Sequence, residues 1–201
     1  MIEVDARKKL GTFSLAASLS DGGCICLTGS NGSGKTCLMR AMAGLLPLDE
    51  GYVKVDGKDV TRSQPEGRGI VMVTPGSYIP HMSVDSHLTW GARMKRLRIP
   101  AERISVVKRD LGIDFTGRVS HLSLGMRERV SLGTALLSSP KLILVDEAFS
   151  NIHNRLDFMK SYRGFASDAG IDLIFSTQDR ADAAYADHLY VMTEGVAQKI
   201  S

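Results

Sequence analysis

The sequence predicts an α/β domain built on a parallel sheet with helices on both faces. Short apolar segments with strand character alternate with segments of helical period along the chain. This alternation is typical of sheets whose strands are joined by helical crossovers. A glycine-rich loop stands between an apolar strand and a helix, and a helical stretch between Pro75 and Ser120 interrupts the alternation. We therefore expect a helical insertion in an otherwise regular α/β pattern.

In the first 75 residues, strand signals surround a single helical segment. The helix, 35–43, is followed by Gly44 and then by Pro47, which are common helix-ending residues. Two later strand segments are separated by Asp56 and Gly57, a dipeptide that favours a tight hairpin turn. The strands predicted here are 1–7, 12–16, 23–28, 52–55, 58–60 and 70–74.

The remainder of the chain mixes helices with short apolar strands. Residues 83–113 have a helical period, and Pro100 is well placed to open a second helix within them. A further helix, 124–137, ends ahead of Pro140. Beyond it we predict strands 142–145, 171–175 and 189–192, with helices at 154–169 and around residue 181. The chain is expected to form one domain, with a core of about residues 1–75 and 139–201 and a helical subdomain of about 76–138.

The composition is that of a soluble globular protein, since 43% of the residues are hydrophobic and 23% are charged. The formal net charge of +3 is too small to indicate a nucleic-acid partner, and the densest basic group is interpreted as the solvated face of a helix. No apolar run approaches the ~20 residues of a membrane span, and the first residues lack the apolar centre of a signal peptide. We therefore expect a cytoplasmic protein. The basic group consists of Arg93, Lys95, Arg96 and Arg98.

The three cysteines fit a reducing compartment. Cys24 and Cys26 point to the same side of a predicted strand, and Cys37 follows the glycine-rich loop. None of them has a second cysteine pair or a histidine at metal-ligand spacing. We expect all three to be packed as small apolar residues.

The glycine-rich loop indicates a phosphate site. Its three glycines allow tight turns in which successive N–H groups point inward, and the following helix adds the positive end of its dipole. Lys35 would place its charge at the outer phosphates, and the Thr36 hydroxyl could bind Mg²⁺. The alternative is a chance glycine-rich turn, which the flanking strand and helix disfavour. The loop comprises Gly29, Ser30, Asn31, Gly32, Ser33, Gly34, Lys35 and Thr36.

A second motif is the apolar strand that ends in Asp146 and Glu147. The strand would deliver Asp146 toward the metal, and Glu147 could polarise an attacking water. The alternative is a strand that ends in solvated acidic residues, which is common in isolation. Together with the loop, this motif predicts a P-loop protein that binds ATP and magnesium.

Between these motifs, residues 121–140 read HLSLGMRERVSLGTALLSSP. Here the sequence resembles the ATP-binding cassette (ABC) ATPases, whose signature is Leu-Ser-Gly-Gly-Gln before a basic helix. Residues 68–73, 78–84, 145–150 and 194–195 are similar to further segments of that family. The resemblance extends over nearly the whole chain.

The resemblance implies a P-loop NTPase fold with a mixed or parallel sheet core, an antiparallel β subdomain and an inserted α-helical subdomain. It also implies ATP and Mg²⁺ as cofactors, no nucleic acid, and a dimer of two cassettes, either a homodimer or a heterodimer. Ser123 and Gly125 would then contact the ATP of the opposite subunit. Ser123 can equally be an ordinary N-cap serine, and both interpretations can hold together.

Four functional motifs depart from the family at five residues. Gln178 stands at the switch histidine, and it can donate a hydrogen bond to the γ-phosphate but cannot carry the charge of a histidinium. Glu147 is retained, so we expect slow or partner-dependent hydrolysis with Glu147 and Gln178 as the catalytic residues. The other replacements are Pro75 at the Q-loop glutamine, Leu124 and Met126 in the signature, and His153 at the D-loop aspartate.

The residue that stacks on adenine is not assigned. Leu10 lies in the usual neighbourhood of that residue, and Phe13 is expected to be buried.

The leading functional hypothesis is the ATPase subunit of an ABC transporter, most simply an importer, bound to a membrane permease at the inner face of the membrane. Because the chain stops soon after Gly195, a regulatory C-terminal domain is not expected. The alternative is a degenerate cassette that binds ATP, pairs with a complete cassette and barely hydrolyses. A soluble member acting on DNA or ribosomes is a third possibility, but it would need a long coiled-coil insertion or a second cassette.

Overall fold

The computed structural model describes residues 1–200, apart from the side chain of Arg180. Ten strands are present in these residues: β1 Ile2–Leu10, β2 Phe13–Asp21, β3 Cys24–Thr28, β4 Glu50–Val55, β5 Lys58–Asp59, β6 Ile70–Val73, β7 Leu142–Asp146, β8 Asp172–Thr177, β9 His188–Thr193 and β10 Val196–Lys199. The α-helices are α1 Lys35–Ala43, α2 Val84–Met94, α3 Ala101–Asp110, α4 Leu124–Leu137 and α5 Arg155–Asp168, with short 3-10 helices at Pro65–Gly67, Val119–His121 and Arg180–Tyr185.

The strands form two sheets. A four-stranded antiparallel sheet has the order β2-β1-β4-β5, and a six-stranded sheet has the order β10-β9-β3-β8-β7-β6. In the six-stranded sheet only β10 is antiparallel to its neighbour. Helices connect β6 to β7 and β7 to β8, because parallel neighbours need such crossover connections. The predicted α/β fold is confirmed.

Both faces of the six-stranded sheet are covered. Successive side chains of a strand point to opposite faces, and along β3 they enter two separate cores. Ile25 and Leu27 pack against α1 and the four-stranded sheet, whereas Cys24 and Cys26 pack on the side of α4 and α5. Burial on both sides explains why β3 and β7 are continuously apolar rather than alternating.

Helices α1 and α4 begin and end where the sequence predicts. Gly44 caps α1 in the left-handed conformation, and Ser123 caps α4 by accepting a hydrogen bond from the Met126 backbone N–H at 3.3 Å. The N-cap interpretation of Ser123 is therefore confirmed. The resemblance at Glu194 and Gly195 implies a last hairpin, and β9 and β10 form it. Strand β10 is short and mostly exposed, so it has no apolar pattern of its own from which it could be predicted.

The stretch 83–113 contains two helices separated by an exposed turn. Helix α2 ends at Met94, so three of the four residues of the basic group lie beyond it. The interpretation of this group as a helix face was wrong: Arg96 adopts a left-handed conformation with φ of 56° and reverses the chain toward α3. A left-handed residue ends a helix locally, and the periodicity of the surrounding sequence does not reveal it.

No helix among residues 1–200 is both long enough and apolar enough to cross a membrane.

Candidate nucleotide site

The glycine-rich loop leaves the end of β3 and enters α1 at Lys35. Gly34 stands at the N-cap of α1 with φ of 107°, a conformation that suits glycine. Lys35 is buried, and its Nζ donates to the carbonyls of Gly29 and Ser30 at 2.8 and 3.0 Å. The ammonium is therefore held against the loop at the positive end of α1, where an anion is stabilised.

Thr36 and Asp146 are joined across the sheet. The Thr36 hydroxyl donates to Asp146 Oδ2 at 2.7 Å, and the Ser176 hydroxyl donates to Asp146 Oδ1 at 2.6 Å. Asp146 ends β7 directly beside Ser176 of β8, so the parallel register fixes both carboxylate oxygens. A hydroxyl and a carboxylate are oxygen ligands of the kind that Mg²⁺ prefers. Ser176 was missed in the sequence, although it is a polar residue at the carboxyl end of an apolar strand.

Glu147 follows Asp146 in an unusual backbone conformation. Its φ is 56°, which is left-handed and costs a non-glycine residue on the order of 1 kcal/mol. The Glu147 N–H donates to the Ser176 hydroxyl at 3.0 Å, and Gln178 Nε2 donates to Glu147 Oε1 at 3.1 Å. The structure thus places the two predicted catalytic side chains in direct contact.

A cavity of about 290 Å³ lies beside the loop. Phe13 and Leu10 are both half-buried and both line it, so Phe13 presents an aromatic ring to this space instead of being fully buried. The other lining residues are Asn31, Gly32, Gly34, Lys35, Thr36, Cys37 and Glu147.

The cysteines divide into two kinds. Cys24 and Cys26 are buried as expected, and burial raises the pKa of each thiol to about 12. Cys37 is half-buried: it packs against the core around α1, as expected, and it also lines the cavity beside Thr36. Cys37 reaches the cavity because it directly follows the glycine-rich loop, in the first turn of α1.

Arg155, the first residue of α5, connects two loops of the site. Its Nη2 lies 2.8 Å from Asp179 Oδ2 and 3.0 Å from Asp182 Oδ1. Asp182 is buried and also accepts from the Thr177 hydroxyl at 2.6 Å. These contacts involve Thr177 and Asp179, the residues on either side of Gln178, and they connect the loop that contains Gln178 with the start of α5. This ion-pair cluster was missed in the sequence, because Arg155 and its partners lie about 25 residues apart and form no local pattern.

Comparison with known proteins identifies the family. The sequence model described as "ABC transporter" matches residues 13–150, which include the glycine-rich loop, Ser123, Asp146 and Glu147. The chain belongs to the ABC transporter family. Members of this family are ATP-hydrolysing enzymes, and this chain is one of their ATP-binding cassettes.

The cassette is similar to sn-glycerol-3-phosphate import ATP-binding proteins named UgpC. The protein from Escherichia coli O1:K1 is 33% identical over 198 residues, which cover 92% of this chain and 54% of the relative. The protein from Escherichia coli K12 is 32% identical with the same coverage. The chain spans about half the length of the curated relatives it matches.

Solved structures agree with the fold of the cassette. An ATP-binding subunit of an ABC transporter superposes with a TM-score of 0.84 at 19% identity, covering 100% of this chain and 90% of the other. An ATP-binding cassette in its ADP conformation superposes with a TM-score of 0.79 at 26% identity, covering 98% and 89%. These matches confirm the predicted P-loop NTPase fold of ABC ATPase type.

The signature segment of the cassette packs against the loop after β7. A Cβ atom on Gly125 would lie 2.6 Å from the Asn151 carbonyl oxygen, so this helical position has no room for a side chain. Asn151 Nδ2 also donates to Glu128 Oε1 at 2.9 Å, and burial raises the pKa of that glutamate. Leu124 is 45% exposed, so its side chain points away from this packing.

Not all predicted site residues come together in one chain. The loop residues, Thr36, Asp146, Glu147 and Gln178 form one connected cluster. Of the residues described, Ser123 and Gly125 do not line the cavity beside the loop. Two further residues differ from the family pattern. Pro75 lies in a turn after β6, and His153 is exposed, with its carbonyl accepting a hydrogen bond from Arg129 Nη2 at 2.7 Å.

Proposed function

We propose that this cassette binds ATP with Mg²⁺ and hydrolyses it slowly, as the energy-coupling subunit of an importer. The observation that carries the proposal is the continuous hydrogen-bonded chain from Thr36 through Asp146 and Ser176 to Glu147 and Gln178. A P-loop needs these groups within one network, because metal ligand and water-activating carboxylate must act on the same phosphate.

Each group of the cluster has a distinct role in the proposal. The loop N–H groups from Gly29 to Gly34 and the Lys35 ammonium hold the phosphate oxygens. Thr36 and Asp146 would hold Mg²⁺, which when bound neutralises charge on the phosphates. Glu147 accepts a hydrogen bond from the attacking water, whose oxygen bonds to the γ-phosphorus as the bond to the bridging oxygen of ADP breaks.

Phe13 supports ATP over other phosphate compounds. Its ring is half-buried and lines the cavity together with the P-loop residues. An aromatic ring that lines the same cavity as a phosphate site can stack on a nucleobase, and adenine offers a flat face for this contact. We therefore propose Phe13 as the residue that stacks on adenine.

A second cassette would complete the site. Ser123 and Gly125 open α4, whose N-terminal N–H groups suit an anion, yet they do not line the cavity of their own chain. Contact with the ATP of an opposing subunit accounts for this separation. ATP-dependent closure of a dimer, either a homodimer or a heterodimer, would then bring each signature to the partner's phosphates.

The membrane partner would dock in a cleft of about 750 Å³ between β6, α2 and α4. Met72, Tyr78, Ile79 and Trp90 contribute apolar and aromatic surface to it, and such a surface suits an amphipathic helix. Of the segment 78–84, which follows β6, Tyr78 and Ile79 line this cleft. We propose that a permease helix occupies it, with the cassette peripheral on the cytoplasmic face of the membrane. The relatives are named import proteins, which supports import without naming the solute.

The test is Mg²⁺-dependent ATP hydrolysis measured over a range of protein concentrations, together with ATP binding by Lys35→Ala. We expect specific activity to rise with concentration, because the site is completed by a second copy. Lys35→Ala should weaken ATP binding by roughly 10- to 100-fold, since a charge-assisted hydrogen bond to phosphate contributes about 1.5–3 kcal/mol.

Lys58→Ala, at an exposed lysine of β5, is the matched control and should bind ATP normally. Constant specific activity would contradict the need for a homodimer. Equal ATP affinity of the two lysine variants would contradict the phosphate site itself.

The alternative is a degenerate cassette that regulates a complete partner, and it is supported by Gln178 at the switch-histidine position and by Leu124 in the signature. Gln178→His should raise turnover about tenfold, because an imidazolium beside the γ-phosphate adds a charge that an amide lacks. Gln198→His, on the exposed strand β10, controls for the substitution itself. If Gln178→His still hydrolyses no faster than the background without Mg²⁺, the regulatory function is the better conclusion.

A further inference from the structure

The turn between α2 and α3 carries a concentrated positive charge. We call residues 90–98 the α2–α3 tip. Its sequence, WGARMKRLR, contains four cations and no anion, whereas the whole chain has a formal charge of only +3. Two backbone hydrogen bonds close the turn of the tip: the Arg96 and Leu97 N–H groups donate to the Arg93 and Ala92 carbonyls at 3.0 and 2.9 Å. The tip is therefore a hydrogen-bonded turn that carries four cationic side chains within nine residues.

The arginines of the tip have no acidic partner among the residues that the structure describes. Within residues 1–200, no carboxylate forms an ion pair with Arg93, Arg96 or Arg98, and all three are exposed. Lys95 donates to the Ser138 carbonyl at 3.1 Å. The negative end of the α2 dipole stabilises a cation within its last turn, which accounts for Arg93 but not for the residues that follow the helix.

Large apolar side chains are interleaved with these cations. Trp90, Met94 and Leu97 are 39%, 68% and 42% exposed. A purely solvating surface would carry polar residues at these positions. Exposed aromatic and aliphatic side chains between lysines and arginines are instead the composition of surfaces that enter the headgroup region of a bilayer.

We propose that the α2–α3 tip binds the anionic lipid headgroups of a membrane surface. Its charge is complementary to phosphodiester headgroups, and its apolar residues can enter the interface between headgroups and acyl chains. A nucleic acid would match the charge but would leave Met94 and Leu97 without an apolar environment. Trp90, Met94 and Lys95 also line the cleft proposed for the permease, so the tip adjoins that cleft.

This inference extends the proposed function but is tested without a permease or hydrolysis. Trp90 is the only tryptophan of the chain, so its fluorescence reports on the tip alone. The full chain would be titrated with phosphatidylcholine vesicles that contain either no anionic lipid or about 30 mol% phosphatidylglycerol, in about 0.1 M salt. We expect a blue shift of the emission and quenching by brominated acyl chains with the anionic vesicles only, both weakened by added salt.

Two triple variants separate the tip from the overall charge. Arg93→Gln with Arg96→Gln and Arg98→Gln should weaken vesicle binding about 100-fold, because each cation near an anionic surface contributes about fivefold. Lys9→Gln with Lys58→Gln and Lys160→Gln removes the same charge from exposed positions elsewhere and should change binding little. Met94→Ser with Leu97→Ser should reduce the part of the binding that survives high salt.

Three outcomes would overturn the proposal. The first is equal binding to neutral and anionic vesicles, and the second is equal loss in the two triple variants. The third is salt-sensitive binding of a DNA or RNA duplex that the tip triple abolishes, with no binding to vesicles. ATP binding by each variant verifies that it is folded, and a failure of ATP binding in the unaltered chain would count against the proposed function rather than against the tip.

Discussion

Replacing Glu147 with glutamine is expected to lower ATP turnover by about 1,000-fold while leaving ATP affinity nearly unchanged. A positioned general base contributes on the order of 100- to 10,000-fold to a rate, and an amide cannot accept a proton from the attacking water. Binding should persist because the loop, Lys35 and Thr36 do not depend on the charge of residue 147. Hydrolysis is measured by release of phosphate, and affinity by displacement of a fluorescent nucleotide.

The geometry makes this prediction specific. The Glu147 backbone N–H donates to the Ser176 hydroxyl, and its side-chain Oε1 accepts from Gln178 Nε2. A glutamine can keep both contacts and the same shape, so the variant loses only the carboxylate charge. Glu194→Gln is the matched control, since Glu194 is also a left-handed residue, with φ of 47°, but it is exposed at the β9–β10 turn. An unchanged rate in Glu147→Gln would show that another group activates the water.

Replacing Gly195 with alanine is expected to destabilise the cassette by about 4 kcal/mol. Gly195 has φ of 84°, and a Cβ atom there would lie 2.0 Å from the Ser14 carbonyl oxygen. The left-handed backbone costs alanine about 1 kcal/mol, and separating two backbone segments costs about 3 kcal/mol more. Urea-induced unfolding, followed by circular dichroism, measures the change.

The substitution should also weaken ATP binding about tenfold. The Gly195 N–H donates to the Ser33 carbonyl at 2.9 Å, and the Gly195 carbonyl accepts from the Ala16 N–H at 2.8 Å. The β9–β10 turn therefore connects the P-loop with β2, and any shift of the turn moves the loop.

Gly57→Ala separates the two causes of the instability. Gly57 also has a left-handed φ, of 74°, but nothing lies within 4 Å of its would-be Cβ atom. It should lose only about 1 kcal/mol. Equal losses at both positions would mean that conformation alone, and not close packing at Gly195, limits stability.

The sequence alone determined the parts of the site whose chemistry is local. The P-loop needs glycines, a lysine and a threonine at fixed spacing because one continuous segment wraps the phosphates. Helices α1 and α4 could be bounded from Gly44, Pro140 and Ser123 because capping involves residues within one turn. The place of Asp146 and Glu147 could be predicted from the four apolar residues before them, because these form a buried strand whose end lies at the edge of the sheet.

Only the tertiary structure decided which distant residues support that local chemistry. Ser176 joins Asp146 to Glu147 because β7 and β8 pair in parallel with that register. Gly195 reaches the P-loop because a short polar hairpin returns beside β2, and Arg155 meets Asp179 through an ion pair about 25 residues apart in sequence. These contacts depend on how elements pack, and a single pair of residues distant in sequence leaves no periodic pattern by which it could be found.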